Sequence, residues 1–440
     1  MLSLSILTRH DSVDSAKRRS LTPILFFLSA VVTTVAPRVT WLFLPIIAIA
    51  LSMPLLRRPG EWRQLIQPNA ALIAFLLVAI YIFLSATWAA DSVAALETAA
   101  LFLTLVLLTF IANRAADQLP KHELRQAALA FTAGAFLGAF FVLFDLLTYS
   151  AATRLVMNAI PLFETSRHVR VSQGEVIWSD PSQLKRNAGI LTLSLWPVLF
   201  VLSTALGSRR AILMGMFFIA VTTCAILAGH ASSLVGLCVS PIVFFLAWNW
   251  RRPIIGALAA LYCLAFMLAI LVVFAAYDMN LQAAEWLRGS FKVRIIIWEY
   301  TAERVLDHPW LGIGAASTPA LREPRDQSEK PSGYVYPRNT GQHAHNMFLQ
   351  TWYELGAAGV LLIAIAGAIV AFRIALLPIE TQPFAAASFA VFLSIAASSW
   401  GMGQEWLVAA VGLPVVYLRT ISAIQPQKLS SKIYAKGDSG

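Results

Sequence analysis

The sequence predicts an all-α, polytopic integral membrane protein of about 12 transmembrane helices, with a long extramembrane loop between the ninth and tenth spans. Three observations predict it. The first is composition: 58% of residues are apolar and 13% charged, and the mean hydropathy is +0.70, whereas a soluble domain carries about 25% charged residues. The second is run length: the apolar stretches are continuous and near ~20 residues, the helix length that crosses a hydrocarbon core of about 30 Å. A membrane barrel would show short strands alternating apolar-out and polar-in instead. The third is the placement of basic residues, which falls on alternate loops.

The apolar runs place spans at 21–37, 39–56, 70–89, 93–112, 126–149, 188–206, 211–229, 231–249, 253–277, 346–371, 384–400 and 404–420. Residues 1–277 form a membrane domain of nine spans, interrupted by a polar segment at 150–187. Residues 278–345 form the long loop, 346–420 a membrane domain of three spans, and 421–440 a polar tail. The pairs 21–56 and 211–249 are joined by loops short enough for re-entrant segments. The first run follows Arg9, Lys17, Arg18 and Arg19, as in a signal peptide, but no small-x-small cleavage site follows, so it reads as an uncleaved first span. Cys224, Cys238 and Cys263 all lie within apolar runs and read as small buried hydrophobes.

Orientation follows from arginine and lysine. With the N-terminus inside, Arg57, Arg58, Arg63, Arg114, Lys121, Arg125, Arg209, Arg210, Arg251, Arg252, Arg373, Arg419 and the tail lysines share one side, and the short loops on the other side hold only Arg38. Both termini are therefore expected in the cytoplasm. The net charge of +10 reports topology rather than a nucleic-acid partner. The remaining basic residues sit in the two long outer segments, against the trend, together with His168, His308, His343 and His345; His230 maps to a short outer loop. Any chemistry is expected on this outer face.

Within 278–345, a helical stretch at 281–306 mixes Trp286, Phe291, Ile295, Trp298 and Val305 with Arg288, Lys292, Arg294 and Arg304, as suits a helix at headgroup level. Arg294 and Trp298 share a face. Either they anchor the helix at the interface, or Arg294 faces a pocket and holds an anionic group, with Arg288 a further candidate. Next come His308-Pro309-Trp310-Leu311-Gly312-Ile313-Gly314; proline ends the helix, and Gly312 and Gly314 permit a tight turn or close approach of backbone to a ligand. A polar stretch at 315–342 reads as a mobile loop. His343 and His345, beside Asn346 at the mouth of the tenth span, are spaced for metal ligation on an extended segment, but only Glu354 or His308 offers a further ligand. A general base or proton shuttle fits the pair better. Lys185 and Arg186, before the sixth span, either snorkel to headgroups or complete an anion site with Arg294, since a guanidinium fork matches phosphate oxygens. Ser232 and Ser233 either line that pocket or serve helix packing.

At these residues the chain resembles the O-antigen ligase and polymerase superfamily. The pattern is Arg294-x-x-x-Trp298, then His308-Pro309-Trp310-Leu311-Gly312-Ile313-Gly314, then His343-Ala344-His345-Asn346-x-x-Leu349-Gln350, then Glu354-Leu355-Gly356-x-x-Gly359. The resemblance implies metal-independent, cofactor-free transfer of a glycan from an undecaprenyl-pyrophosphate carrier to an acceptor hydroxyl, such as that of lipid A-core, on the periplasmic face of the inner membrane. It implies Arg294, with Arg186, as holders of the donor pyrophosphate and His345 as the group that takes the hydroxyl proton. Lys185, Arg288, Trp298, His343, Asn346, Gly312 and Gly314 would complete the substrate site, and lipids the surroundings. The superfamily often shows a Ser-Arg pair where this chain has Ala231-Ser232-Ser233.

A polymerase of the same superfamily would use the same chemistry with a second lipid-linked glycan as acceptor. A transporter is the reading from a different class. Transporters carry ionisable groups at the midplane, and these spans hold little charge beyond Asp145 and Glu405 near their outer ends. The orientation is testable: alkaline phosphatase fused after Ala320 is expected to be active, and the same reporter fused after Arg419 silent. The opposite pattern refutes the assigned sidedness.

Overall fold

The computed structural model of the protein describes residues 21–56, 60, 62–159, 169–205, 207–322, 338–399, 401 and 404–424. His168, residues 323–337 of the expected loop and residues 425–440 of the expected tail lie outside the described residues.

A backbone in hydrocarbon has no water to bond, so a long apolar run closes its N–H and C=O groups within a helix. Each of the predicted runs is helical. In chain order the helices are α1 (Thr22–Val35), α2 (Thr40–Leu56), the single turn α3 (Trp62–Leu65), α4 (Ala70–Ser85), α5 (Ser92–Ala116), α6 (Lys121–Leu147), α7 (Ala151–Ala159), α8 (Lys185–Ala205), α9 (Arg210–Leu227), α10 (Ala231–Asn249), α11 (Arg251–Asp278), α12 (Gly289–Val305), α13 (Met347–Arg373), α14 (Gln382–Ser398) and α15 (Glu405–Ser422). Among the described residues, 8 helical segments are long and apolar enough to cross a membrane; α1, α4, α14 and α15 are apolar but shorter. The chain is thus a multi-pass helical membrane protein. The tight pairs 21–56 and 211–249 each resolve into two separate helices.

One helix is unlike the rest. The apolar span containing α8 is 89% buried inside the bundle, against 17–50% for the other long spans. It packs on α1, α6, α9, α10, α14 and α15. Its first residues, Lys185 and Arg186, are therefore held at the centre of one end of the bundle.

The segment between α6 and α8 has structure that the apolar pattern does not foresee. Asp145, buried near the end of α6, accepts hydrogen bonds from Ala152 N, Thr153 N and Thr153 Oγ1 and so caps α7. Strands β1 (Val169–Ser172) and β2 (Glu175–Ser179) follow as an antiparallel hairpin.

The helix expected at 281–306 starts later. Residues 279–287 form turns, and Arg288 stands at the N-cap of α12. Its apolar face does not rest free at an interface: Ile295, Trp298, Ala302 and Val305 pack against Val273 of α11 and Leu349 and Tyr353 of α13. Arg338 closes the return chain onto α12 through Glu299 at 2.7 Å and Glu303 at 2.8 Å.

The decisive local feature lies in α13. Gly356, at φ 61° and ψ −166°, breaks the helix after two turns. Such a break strands backbone groups, at several kcal/mol each away from water. The Pro309–Gly314 stretch supplies the missing partners. Ile313 N donates to Tyr353 O at 3.0 Å and Gly314 N to Glu354 O at 2.9 Å, while Ala357 N donates to Pro309 O at 2.8 Å and Ala358 N to Trp310 O at 3.2 Å. Tyr81 of α4 donates its hydroxyl to Leu355 O at 2.9 Å. The two backbones touch so closely that a Cβ at Gly312 would sit 2.4 Å from Glu354 C, and one at Gly356 2.5 Å from Trp310 C. The Glu354 carboxylate tightens the same joint, accepting from Ala316 N, Thr318 Oγ1 and Gln350 Nε2.

Gly356→Ala is expected to combine a backbone strain of about 1–3 kcal/mol with that clash, and to lower the thermal midpoint of the detergent-extracted protein sharply. At Gly215 and Gly256, in α9 and α11, a Cβ would have nothing within 4 Å; alanine there is expected to leave the midpoint unchanged or raise it. Equal effects at all three sites would refute the joint.

Candidate active site

Four chain segments meet at the bundle end where α8 begins. They are the α8 N-terminus with Lys185 and Arg186, the His230 turn before α10, the first half of α12 with Arg294, and the His343-Ala344-His345 stretch before α13. Ser399 and Gly401, after α14, lie against them: a Cβ at Gly401 would lie 3.0 Å from His343 Cβ.

Arg294 is the electrostatic hub. Its charge acts on Lys185, His230, His343 and His345, and that of Arg186 acts on His343. Arg186 lies over the Trp406 ring, 5.7 Å from its centroid. Asn187 donates to Thr34 O at 2.8 Å and Val35 O at 2.9 Å, binding the start of α8 to the end of α1. That brings Arg38 within reach of Arg186. Among the described residues, no carboxylate forms an ion pair with Arg294, Arg186 or Arg38; Lys185 alone feels an acid, Asp180. Like charges in a half-buried site repel more strongly than in water. The cluster can therefore bind a multiply charged anion with large electrostatic gain.

The histidine segment is held by its backbone. Ala344 N donates to Gln350 Oε1 at 2.6 Å, and Trp298 Nε1 donates to Ala344 O at 2.6 Å. Asn346 caps α13, accepting from Phe348 N at 3.0 Å and Leu349 N at 3.2 Å. Between these anchors His345 adopts φ 55°, a left-handed conformation costing about 1–3 kcal/mol in a non-glycine residue. Its Nδ1 lies 2.6 Å from Ser399 O. A carbonyl only accepts, so Nδ1 carries the proton and Nε2 keeps its lone pair. The His343 ring is 4.1 Å away, centroid to centroid.

Burial, then the charges of His345, Arg186 and Arg294, push the His343 imidazole down to about 3. Burial and Arg294 also hold His345 below the usual histidine range, against the Ser399 carbonyl, which pulls the other way. A neutral His345 can accept a proton, and the cation cluster beside it can hold an anion.

The sequence-predicted residues divide into three groups. Arg294, Lys185, Arg186, His343 and His345 come together. Trp298 and Asn346 support the site from behind, the indole N–H committed to Ala344 O and the Asn346 Oδ1 to the first turn of α13. Arg288 is exposed at the N-cap of α12, and no interaction among the described residues joins it to the cluster. Gly312 and Gly314 also lie apart: the backbone they approach is the protein's own, that of Glu354 and Ala89. The two histidines gather no third metal-ligating side chain among the described residues. Ser232 and Ser233 are buried and bonded to Ser398 and to His230 and Thr192, which is the packing reading. Arg38, His230 and Ser399 are the members that motif spacing did not reveal. Arg38 carried one signal, as the sole basic residue of the short outer loops; Ser399 carried none.

The fold and site define a multi-pass helical membrane protein with a cluster of arginine, lysine and histidine side chains at one end of its bundle. Comparison with known proteins narrows it. Residues 215–364 match the family described as O-antigen ligase, a segment that includes Arg294, both clustered histidines and the glycine joint. A Rickettsia conorii protein named "Putative polysaccharide ligase" is 23% identical over 232 residues, covering 52% of this chain and 55% of that protein. A Rickettsia felis protein of the same name is 24% identical over 232 residues with the same coverage. The chain spans about half the length of the curated relatives it matches. The resemblance to the O-antigen ligase superfamily is borne out over the segment that carries the motifs.

Removing the hub charge has a defined sign. In Arg294→Gln the protonated imidazoles lose a repelling neighbour, so His343 and His345 are expected to titrate at higher pH than in the wild type, toward the ordinary value of about 6.5. Nitrogen-15 NMR of histidine-labelled protein in detergent reads this; unchanged or lower midpoints would contradict the cluster geometry.

Proposed function

We propose that the protein is a membrane-bound glycan ligase that transfers a polysaccharide from an undecaprenyl-pyrophosphate carrier to an acceptor hydroxyl, such as one on lipid A-core, at the periplasmic face of the inner membrane. One observation carries the reading: Arg294, placed without an acidic partner among the described residues, stands beside a neutral histidine whose Nε2 is free to accept a proton. The O-antigen ligase match over the same residues supports it.

In this reading Arg294 and Arg186, with Lys185, hold the pyrophosphate of the donor. The acceptor hydroxyl gives its proton to His345 Nε2 as its oxygen bonds to the anomeric carbon. The bond from that carbon to the pyrophosphate oxygen breaks, and the electron pair leaves with the pyrophosphate. Charge grows on the leaving group as the bond lengthens, so fixed guanidinium groups stabilise the transition state more than the ground state. Direct attack inverts the anomeric centre.

His345→Ala and Arg294→Ala are each expected to lower transfer by about 10²–10³-fold with normal membrane levels. The assay uses purified protein, a lipid-pyrophosphate glycan and candidate acceptors, alongside surface-glycan attachment in a deletion strain. Full attachment in both variants would sink the assignment. In the deletion strain, long carrier-linked chains are expected; single unpolymerised repeats would indicate a polymerase instead.

A further inference from the structure

The mechanism above leaves one buried histidine unused. His230 precedes α10 and is 2% exposed, so its ring offers a substrate almost no surface. Both its ring nitrogens are engaged: Nδ1 is 2.7 Å from Ser233 Oγ, and Nε2 is 3.0 Å from Ser399 Oγ. Ser399 is the residue whose main-chain oxygen receives the Nδ1–H of His345. It ends α14 at φ −118° and ψ −84°, outside the helical region, so the helix itself does not set the direction of that carbonyl.

We propose that His230 is a positioning residue that acts through Ser399: by clamping the Ser399 side chain it aims the Ser399 carbonyl at His345, which fixes the His345 tautomer and the direction of its Nε2. This rests on the reading of His345 as the proton acceptor. The Ser399 carbonyl then does what a carboxylate does behind the histidine of a catalytic triad, holding one tautomer and stabilising the imidazolium that forms. It belongs to the residue that follows the last turn of α14, where no intrahelical donor is available to it. A carboxylate in its place would neutralise part of the cation cluster.

The environment of His230 suits the role. Among the described residues, Arg294 of α12 and Lys185 of α8 act on it by charge, and burial together with these two charges pushes its imidazole down to about 3. Ser233 of α10 and Ser399 after α14 are its neutral partners. His230 therefore stays neutral through the physiological range and adds no charge to the site.

The test uses the full-length purified enzyme in detergent with the lipid-pyrophosphate glycan donor. His230→Ala and Ser399→Ala, which retains the main-chain carbonyl, are each expected to lower kcat on the order of 10- to 100-fold, the scale of a misaligned reacting group, with KM for the donor unchanged. The double variant is expected to lose no more than either single one, because both remove the same bond. His230→Gln, whose amide can offer Ser399 a donor or an acceptor, is expected to recover most of kcat and to keep the test open should the alanine variant fail to fold. In His230→Ala, nitrogen-15 NMR is expected to show His345 as a mixture of tautomers. A wild-type kcat in His230→Ala, losses that add in the double variant, or a raised donor KM at unchanged kcat would each overturn the inference. An inactive His345→Ala beside a fully active His230→Ala overturns this inference alone. Transfer that survives in His345→Ala overturns the proton-acceptor reading and this inference with it.

Discussion

A backbone surrounded by hydrocarbon must satisfy its own hydrogen bonds, and the rest of this structure depends on how that demand is met at one place. Gly356 interrupts α13, and the stranded groups are satisfied by the Pro309–Gly314 stretch rather than by water. Four main-chain bonds lock the chain leaving α12 to the chain forming α13. The Glu354 carboxylate draws Ala316 and Thr318 to the same joint and meets Gln350, whose other amide atom takes the Ala344 N–H. From a helix break, a continuous set of bonds thus reaches the segment that carries His343 and His345.

The second organising feature is electrostatic. The most buried span, which contains α8, delivers Lys185 and Arg186 to the bundle end, and α12 delivers Arg294. Their mutual repulsion is a cost borne by the packing of α8 and of the α12 apolar face. Burial, reinforced by the same field, holds both histidines below the usual imidazole range. One arrangement of charge therefore serves two chemical ends: attraction of an anion, and availability of an imidazole lone pair. The helix C-terminal carbonyl of Ser399 steadies His345 without weakening that field.

Much of this was legible in the sequence, and the reasons differ residue by residue. Each apolar run became a helix because length and hydropathy alone decide that question in a bilayer. Arg294, Lys185 and Arg186 stood out because basic residues ran against the topology trend, and His343 and His345 because they sat together at a span mouth. Arg288 shared those signals, yet a helix that begins at residue 289 leaves it at an exposed cap. Gly312 and Gly314 fit either a tight turn or a ligand in the sequence, because close backbone approach has the same signature whether the partner is a ligand or another stretch of the protein. The hairpin at 169–179 was missed because four- and five-residue strands in a polar segment leave no apolar pattern to read.

What the sequence by itself determined is the class of molecule: a multi-pass helical membrane protein, with its unexplained charges and histidines gathered in a few segments at span mouths. Local chemistry suffices for that, since hydrophobic run length and basic-residue bias are properties of neighbouring residues. Only the tertiary structure decided that α13 is broken and repaired by a distant stretch, that Arg38 approaches Arg186, and that His230 reaches His345 through Ser399. Those contacts join residues from 40 to 169 positions apart where they are hydrogen-bonded. Nothing in the local pattern specifies such pairings, because they are set by which helices pack side by side.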